Sequence, residues 1–247
     1  MENSLYAGLS YQMALRREMD IVSNNVANMN TTGFKGQRPL FLEYLAEVDG
    51  GGALSMHQDA LSMVIDHGVA HDLSQGDMIR TGNPLDVAVE GDGYLVVGSD
   101  GGPRYTRHGK LALDIDRRLV DPNGLPVLDD GDQPVIVPAG ANEIAIRADG
   151  SITADGLPLA TLKLVEFDDR QELISLGGGL YASNQVPAEA EDTRLVQGMI
   201  EGSNVEPIVE MTRMIDVMRR YQSAQSLMER EDERLREAIR RLGAVEA

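Results

Sequence analysis

The sequence predicts an α+β protein: an all-β central domain flanked by N- and C-terminal α-helices. Two observations predict it. Apolar residues recur with a helical period near both ends of the 247-residue chain, whereas short apolar runs alternate with turn dipeptides in the middle. Since no long helical segment separates those runs, hairpins are favoured over βαβ units. The expected divisions are a helix with an Asn-rich turn, a connector, a β-rich domain and a long helix, at residues 1–40, 41–71, 72–200 and 201–247.

The first helix is predicted from Ser4 to about Val26. Ser4 suits the N-cap position, and Gly33, with Pro39 soon after, predicts a break. One face of this helix is apolar. Its members are Tyr11, Leu15, Met19, Val22 and Val26, with Leu5 and Leu9 beside them.

The middle of the chain is predicted to consist of strands joined by turns. The stretch LDVAVEGDGYLVVG alternates apolar residues, turns at Asp92-Gly93 and resumes with Tyr94. Residues 50–71, Gly-rich at their start, are predicted only to connect this region to the first helix. The other turn dipeptides are Asp100-Gly101, Asn123-Gly124, Asp130-Gly131, Asp149-Gly150 and Asp155-Gly156.

A single long helix is predicted from Ser203 to Leu242, with Ser203 or Asn204 as its cap and Pro207 in its first turn. At 1.5 Å per residue it would be roughly 55 Å long, which would overhang a small β domain. Its apolar residues alternate at three and four spacings, as in a heptad seam. The seam is Met214, Val217, Tyr221, Ala224, Met228, Leu235, Ala238 and Leu242, with Glu231 as its charged member.

The two helical ends are expected to pair and to bury their remaining apolar surface against other chains. Helical stability comes mainly from tertiary packing, and two helices alone leave much of each stripe in water. A stripe of this composition most often packs within its own protein, but the overhang favours packing between molecules. Residues 1–40 carry a net charge of +1 and residues 201–247 carry −2, while residues 41–200 carry −17. The ends therefore permit close packing, and the acidic middle disfavours nucleic acid and anionic lipid.

Several function classes are disfavoured by what the sequence lacks. The chain has no cysteine, which excludes a thiol nucleophile and suits a protein that enters an oxidising space without forming disulfides. No apolar run reaches the ~18 residues of a spanning helix, so membrane insertion is not expected. The first twenty residues lack the features of a cleaved secretory signal, and we expect any export to proceed without one.

Three blocks of the chain resemble the bacterial flagellar basal-body rod and hook family. Ser23–Lys35 reads SNNVANMNTTGFK, close to that family's N-terminal pattern Asn-Asn-x-Ala-Asn-x-x-Thr-x-Gly-Phe-Lys. The stretch TGNPLDVAVEGDGYLVV followed by YTRHGKLALD resembles the central block, and EGSNVEPIVEMTRMIDVMRRY resembles the C-terminal one. Within the family, the chain is most similar to F-type proximal-rod subunits, with G-type distal-rod subunits next. The chain departs from the usual residues of the family at four positions: Arg117 replaces a turn glycine, Leu95 and Leu111 replace aromatic residues, and Gln222 replaces a glutamate.

The resemblance implies a structural subunit that polymerises through its terminal helices into a hollow drive shaft transmitting torque. It implies an axial, coiled-coil-like helical domain, partners that are copies of the chain and other rod subunits, and export by the flagellar type III apparatus to the periplasm-spanning rod. It implies no cofactor. The predicted assembly residues are Leu15, Met19, Val22, Asn24, Asn25, Val26, Asn28, Gly33, Phe34, Ser203, Asn204, Val205, Met211, Met214, Ile215, Met218, Tyr221, Met228 and Leu235.

The four asparagines of residues 24–30 are interpreted as part of that surface, because an amide both donates and accepts hydrogen bonds and tolerates left-handed backbone. From the local sequence alone, a polar loop after a helix is the favoured explanation, and the three-block resemblance reverses that preference. Phe34 and Lys35 are expected to anchor the outgoing chain. The whole-chain alternatives are a distal-rod or hook subunit and an acidic secreted enzyme or carbohydrate-binding β domain.

Four other motifs have ordinary explanations. His67 and His71 have the i,i+4 spacing of a helical metal pair but lack a third ligand, so no metal site is predicted. Gly91–Gly93 and Gly177–Gly179 lack the strand–glycines–helix context of a nucleotide site and predict turns. Asp129, Asp130 and Asp132 lack the final glutamate of a calcium loop. Asp114 and Asp116 have no separate catalytic carboxylate, and no catalytic residue is predicted.

Overall fold

The computed structural model of the protein describes residues 2–47, 60–141 and 143–243. An N-terminal helix and a C-terminal helix precede and follow a β-rich middle, as predicted. The chain divides into two compact units. We call them the helical unit, drawn from residues 1–27, 37–70 and 206–247, and the β unit, drawn from residues 28–36 and 71–205.

The helical unit contains α1 (Glu2–Ala27) and α2 (Pro207–Gly243). Because α1 begins before Ser4, that residue lies inside the helix, and its predicted capping role is wrong. Neither Ser203 nor Asn204 caps α2, since that helix begins later, at Pro207. Pro207 is the first helical residue, where its missing N–H has no intrahelical partner to lose.

The predicted connector contains two long strands. β1 (Gln37–Glu47) and β2 (Ala60–His71) pair as a two-stranded sheet. Pro39 lies within β1 and does not end a helix. The prediction missed β1 because Leu40, Phe41 and Leu42 are consecutive and break the period-two alternation that identifies a half-buried strand.

Among its described residues, the β unit contains fifteen short strands and one 3₁₀ turn (Arg170–Glu172). Its largest sheet has the strand order β13-β14-β6-β5-β12-β15, and β9, β10 and β11 form a three-stranded sheet. The strands are β3 Met78–Arg80, β4 Val87–Glu90, β5 Tyr94–Ser99, β6 Gly102–Thr106, β7 Ala112–Leu113, β8 Leu119–Val120, β9 Ile144–Ile146, β10 Ser151–Ala154, β11 Leu157–Thr161, β12 Leu164–Glu166, β13 Ile174–Gly177, β14 Leu180–Ala182, β15 Ala188–Glu189, β16 Arg194–Gln197 and β17 Met199–Glu201.

The turn dipeptides join antiparallel neighbours at several predicted places. Asp100-Gly101 links β5 to β6, Asp149-Gly150 links β9 to β10, and Asp155-Gly156 links β10 to β11. Asp92-Gly93 also lies in a turn, but the strands on either side of it belong to different sheets. β4 pairs with β16, whereas β5 pairs with β6 and β12.

The first and last strands of the β unit pair with each other. β3 lies antiparallel to β17, with Met78 opposite Glu201, and β4 lies antiparallel to β16, with Val87 opposite Gln197. These pairs join residues more than a hundred positions apart, so local patterning could not predict them. They bring the beginning and the end of the β unit together.

Two apolar clusters fill the β unit. The larger one is aliphatic and gathers residues from strands of several sheets, including Val87, Leu95 and Ile152. The second is aromatic: the Tyr94 ring meets Phe167 and Tyr181 edge-on, and Tyr105 also meets Phe167 edge-on at 4.7 Å between ring centroids. With no tryptophan and three phenylalanines in the chain, tyrosine supplies most of this cluster.

Candidate assembly interface

Part of the predicted seam packs within the chain. Leu15 of α1 and Val217 and Ala224 of α2 form a buried cluster, with Met19 and Tyr221 packed against it. An ion pair adds to this contact, since the Arg213 Nε lies 3.0 Å from Glu18 Oε1. The two helices of one molecule therefore pack together through the centre of the seam. Packing within one protein, the usual explanation of such a stripe, accounts for this part of it.

Asn25 fixes the end of α1 to the start of β1. Its side-chain Nδ2 donates to the Gln37 carbonyl at 2.8 Å, and its Oδ1 accepts from the Gln37 N–H at 2.9 Å. The same Nδ2 also donates to Glu210 Oε2 of α2 at 3.1 Å. The amide thus pairs with both backbone groups of one residue, as a neighbouring strand would, and it is buried. This asparagine serves the fold of its own chain.

A second apolar stripe on α2 is exposed in this chain. Met211, Ile215 and Met218 are 47%, 51% and 44% exposed, and Ile208 one turn earlier is 81% exposed. Their spacing of three, four and three residues places them on one helix face, next to the seam that contacts α1. We call these four residues the outer stripe. α1 also exposes apolar side chains, at Tyr6, Leu9 and Met13.

In the β unit, the Asn-rich turn ends at a glycine that the geometry requires. Gly33 has φ +66° and donates its N–H to the Glu201 carbonyl at 2.8 Å. A Cβ on this residue would lie 2.6 Å from the Arg107 carbonyl oxygen. Just before it, Asn28 accepts from the Thr31 hydroxyl and backbone N–H, which closes the preceding turn. Glycine is therefore needed for its conformation and for the close approach.

A buried charge cluster lies beneath this turn. The Lys35 ammonium is 2.6 Å from Glu201 Oε1, and the Arg107 Nε is 2.8 Å from Glu201 Oε2. Glu201 is 0% exposed, and each cation is 2% exposed. We call these three residues the charge cluster. One carboxylate thus binds two cations, one through each oxygen.

The remaining donors of the charge cluster also have partners. Lys35 donates to the Ser74 carbonyl, and the Arg107 guanidinium donates to the carbonyls of Val89, Gly91 and Gly93. The Gly76 N–H donates to Glu201 Oε1 at 3.0 Å. Burial of charge is tolerated only when such groups are paired and hydrogen-bonded, and this cluster meets both conditions.

The charge cluster shifts two pKa values in the same direction. Burial alone would raise the pKa of Glu201, but the charges of Arg107 and Lys35 hold it below its usual value. Burial lowers the pKa of Lys35, aided by the charge of Arg107 and opposed by Glu201. Because two cations share one carboxylate, the carboxylate is well compensated and each cation only partly so.

Asn204 holds the two ends of the β unit together. Its Oδ1 accepts from the Gly36 N–H at 2.7 Å, while its Nδ2 donates to the carbonyls of Asp72 and Ser74. The Ser203 hydroxyl accepts from the Val205 N–H. These residues fix the backbone between β17 and α2 in place of the helix capping that the sequence predicted.

The predicted assembly residues fall into three classes of exposure, and none of these placements tests assembly itself, which remains a prediction. The buried ones are Leu15, Val22, Asn25, Gly33, Phe34 and Val205. Those of intermediate exposure are Met19, Val26, Asn28, Ser203, Asn204, Met214, Tyr221, Met228 and Leu235. The exposed ones are Asn24, Met211, Ile215 and Met218.

The charge cluster was missed by sequence reasoning, apart from the expectation that Lys35 anchors the chain. Each of its members comes from a different block of the family resemblance: TGFKG supplies Lys35, YTRHG supplies Arg107 and the run before GSN supplies Glu201. The available signal was a charged residue within two positions of a glycine in each block. Lys35 and Glu201 are 166 positions apart, so spacing could not pair them.

The remaining motifs behave as structural elements. Residues 60–71 form a strand, so the spacing of His67 and His71 does not place them on successive helical turns. Gly177–Gly179 all have positive φ in the turn between β13 and β14. Asp129 Oδ1 accepts from the N–H groups of Gly131 and Gln133, which closes a turn. Within the described residues, no group of three acidic, His or Cys side chains is arranged to hold a metal ion.

No helix among the described residues is long and apolar enough to cross a membrane.

Comparison with known protein families gives matches at both ends and in the middle of the chain. Residues 5–35 match the description "Flagella basal body rod protein", and residues 88–154 match "Flagellar hook protein FlgE/F/G D1 domain". Residues 196–241 match "Flagellar basal body rod FlgEFG protein C-terminal". The three matches contain the three members of the charge cluster.

Proteins that are similar over almost the whole chain are also flagellar basal-body rod proteins. The flagellar basal-body rod protein FlgF of Caulobacter vibrioides is 37% identical, over 99% of this chain and 100% of the relative. FlgF of Rhizobium meliloti is 34% identical, over 98% of this chain and 99% of the relative. The rod protein FlgG of Bacillus subtilis is 29% identical over 97% and 98% of the two chains. This chain therefore belongs to the flagellar basal-body rod protein family, within which it is more similar to these FlgF proteins than to this FlgG protein. It is a structural subunit of the bacterial rod rather than an enzyme.

Proposed function

We propose that this chain polymerises in the proximal rod by packing the outer stripe of α2 against the terminal helices of neighbouring subunits. Rod subunits assemble with other rod proteins in the basal body. The finer proposal is that copies of this chain contact one another and that their helices form an axial, coiled-coil-like layer around a hollow shaft that transmits torque. Export through the flagellar type III apparatus is part of the same proposal.

The observation that carries this proposal is the outer stripe. Four apolar side chains lie on one face of α2 and are exposed, although α2 already packs against α1 through the adjacent seam. Contiguous exposed apolar surface of this kind marks an interaction site. A helix with two apolar faces can contact one helix of its own molecule and a second helix from a neighbour, which is how helical layers extend.

The stripe also lies in a part of the chain where copies can approach. Residues 201–247 carry a net charge of −2, against −12 for the β unit, residues 28–36 and 71–205. Like charges on facing surfaces oppose association, so contact through the helices is favoured over contact through most of the β unit. The predicted residues Asn24, Met211, Ile215 and Met218 remain on this assembly surface, while the buried ones are assigned to the fold of the chain.

The test is a double variant, Ile215→Asp with Met218→Asp, in the full chain. Both side chains are exposed, so the monomer should keep its fold, but the added charges should prevent a neighbouring helix from packing there. We expect loss of rod assembly and of swimming when the variant is the sole copy in a flagellated strain. The measurement is recovery of the chain in isolated basal bodies, together with swarm diameter.

The matched control is Ser223→Asp with Leu227→Asp. It adds the same charge at exposed positions of the same helix, which the 100° helical rotation places at least about 80° around the helix from Ile215 and Met218. The control should assemble and support swimming. Normal basal bodies from the Ile215→Asp, Met218→Asp strain would overturn the proposal.

A further inference from the structure

Two apolar side chains of the β unit, Ile115 and Val186, lie almost completely in solvent. Ile115 is 99% exposed, at the centre of the turn between β7 and β8. A single exposed apolar residue needs no explanation in general. This one differs because the turn that carries it is held by an unusual number of interactions.

Asp114 organises that turn. Its Oδ1 accepts from the N–H groups of Asp116 and Arg118 at 2.9 and 2.8 Å, and its Oδ2 lies 2.8 Å from Arg118 Nε. Arg117 is held at φ +62°, a conformation that usually favours glycine, and its Nε donates to the Val137 carbonyl at 2.9 Å. The backbone around Ile115 is therefore ordered before any contact, which lowers the entropy cost of binding.

A cleft of about 750 Å³ opens on the same unit. Its apolar lining includes Tyr105, Leu128 and the prolines Pro103, Pro126 and Pro134. Apolar lining in a concave surface is what an isoleucine side chain requires, and the volume is ample for a side chain with part of its turn.

Charge permits a second copy of this chain as the occupant. The residues of the β unit, 28–36 and 71–205, include 23 acidic and 11 basic side chains, a net charge of −12, so most faces of two β units would repel each other. At the turn, Asp114 and Asp116 are balanced by Arg117 and Arg118. Around the cleft, the acidic residues are Asp100 and Asp132, and the basic ones are Arg118 and Lys163. Both surfaces are locally neutral, so two copies can meet there without the repulsion that the remainder of the unit imposes.

We propose that Ile115 of one copy inserts into the cleft between β5, β6 and β12 of an adjacent copy. The inference rests on the proposed function, since the polymerised helices are what hold two β units side by side. Arg118 lines the cleft and lies three positions from Ile115, so the turn and the cleft adjoin on each subunit. Each subunit gives its Ile115 to one neighbour and receives the Ile115 of another, which extends along a row of subunits.

The absence of cysteine makes a direct test possible. Two variants of the full chain, Ile115→Cys and Ser99→Cys, are expressed together in one flagellated strain, one of them carrying a tag that changes its size. Ser99 lines the cleft, and Ser→Cys changes the side chain little. Basal bodies are isolated under oxidising conditions and run on a non-reducing gel. We expect the mixed dimer to exceed either homodimer by roughly tenfold, because a disulfide forms only when the two Cα atoms lie within about 7 Å.

The matched control replaces Ile115→Cys by Leu157→Cys, another exposed residue of the β unit at 72%. That pair should give no excess of mixed dimer. Basal bodies that contain both cysteine variants but no excess of mixed dimer would overturn the contact between Ile115 and the cleft and leave the helical assembly intact. Failure of the Ile215→Asp, Met218→Asp test would instead remove the proposed function, and this inference with it.

Discussion

The two units of this chain treat apolar and charged side chains in opposite ways. The β unit buries its apolar residues in two clusters. It even buries five charged side chains, each with partners: Lys35, Asp86, Arg107, Asp121 and Glu201. The helical unit leaves apolar side chains in water: of the 23 large apolar side chains exposed among the described residues, sixteen belong to it. A small buried cluster, Leu15 with Val217 and Ala224, joins its two helices.

This difference indicates that the two units gain their stability in different ways. A domain that satisfies its own polar and apolar groups can fold alone, whereas helices with exposed stripes gain most of their stability from tertiary packing. The β unit is thus expected to be stable in the free subunit, and the helical unit to reach full stability only in the rod. The following predictions test each side of that comparison.

The largest effect is expected in the β unit, from Glu201→Gln. The substitution leaves the buried Lys35 and Arg107 without their carboxylate, and loss of one partner of a buried ion pair costs about 3–5 kcal/mol. Urea unfolding should show this loss in the free energy of unfolding. The control Glu189→Gln removes an exposed carboxylate and should change stability by less than about 0.5 kcal/mol. Equal effects of the two variants would show that the charge cluster is not what secures the unit.

The next effect concerns the turn above the cluster. Gly33→Ala forces a side chain into left-handed backbone and against the Arg107 carbonyl, so we expect a loss of about 3 kcal/mol. Gly82→Ala is the control, because Gly82 has φ +74° but nothing within 4 Å of an added Cβ. It should lose only the conformational part, about 1 kcal/mol. The difference between the two losses in unfolding free energy measures the cost of placing the added Cβ against the Arg107 carbonyl oxygen.

In the helical unit, substitutions in the seam and in the outer stripe should change the stability of the free subunit by different amounts. Val217→Ala removes buried contacts with α1 and should lower the stability of the free subunit by about 1–2 kcal/mol. Ile215→Ala, two residues earlier, should change it by less than about 0.5 kcal/mol, because that side chain is exposed. Thermal melts of the helical circular-dichroism signal make the comparison. A larger loss at Ile215 would mean that α2 packs by its other face.

The smallest effect is that of mild acid on the β unit. Burial lowers the pKa of both His71 and His108, and the Nδ1 atoms of both have no hydrogen-bond partner among the described residues. A histidine with a lowered folded-state pKa stabilises the fold above its unfolded pKa of 6.5 and loses that contribution as pH falls through the folded pKa. The urea midpoint should therefore fall slightly between pH 7 and pH 5.

The variant His71→Phe keeps an aromatic ring against Tyr181 and removes the titrating group. It should show a shallower fall over the same pH range. Below about pH 4.5 a second loss is expected, because the lowered pKa of Glu201 stabilises the fold only while the carboxylate is ionised. An unchanged slope in His71→Phe would exclude that histidine as a source of the mild-acid effect.

The parts of the fold that were predictable are those governed by local chemistry. Helical periodicity located α1 and α2, and dipeptides such as Asp155-Gly156 located hairpin turns because they favour positive φ, which both of these residues adopt. Arg117 stands in place of a turn glycine, from which a different type of turn was expected, but Arg117 adopts the positive φ, +62°, that a glycine would favour. β1 was not predictable, since its consecutive apolar residues follow neither the helical nor the strand period.

The parts that were not predictable depend on contacts distant in sequence. The pairing of β3 with β17 and the meeting of Lys35, Arg107 and Glu201 arise only when the chain is folded. The same holds for the predicted assembly residues: a motif residue such as Phe34 or Asn25 looks available in sequence but is buried in its own chain. Exposure, which separates Ile215 from Val217, requires the structure.

Amide hydrogen exchange on the free subunit and on assembled rods tests the central claim most directly. In the free subunit, amides of the β unit should be strongly protected, while those of α1 and α2 exchange much faster. In the rod, both helices should become protected while the β unit changes little. Helices that are as protected in the free subunit as in the rod would contradict the account, because they would not need neighbouring subunits for their stability.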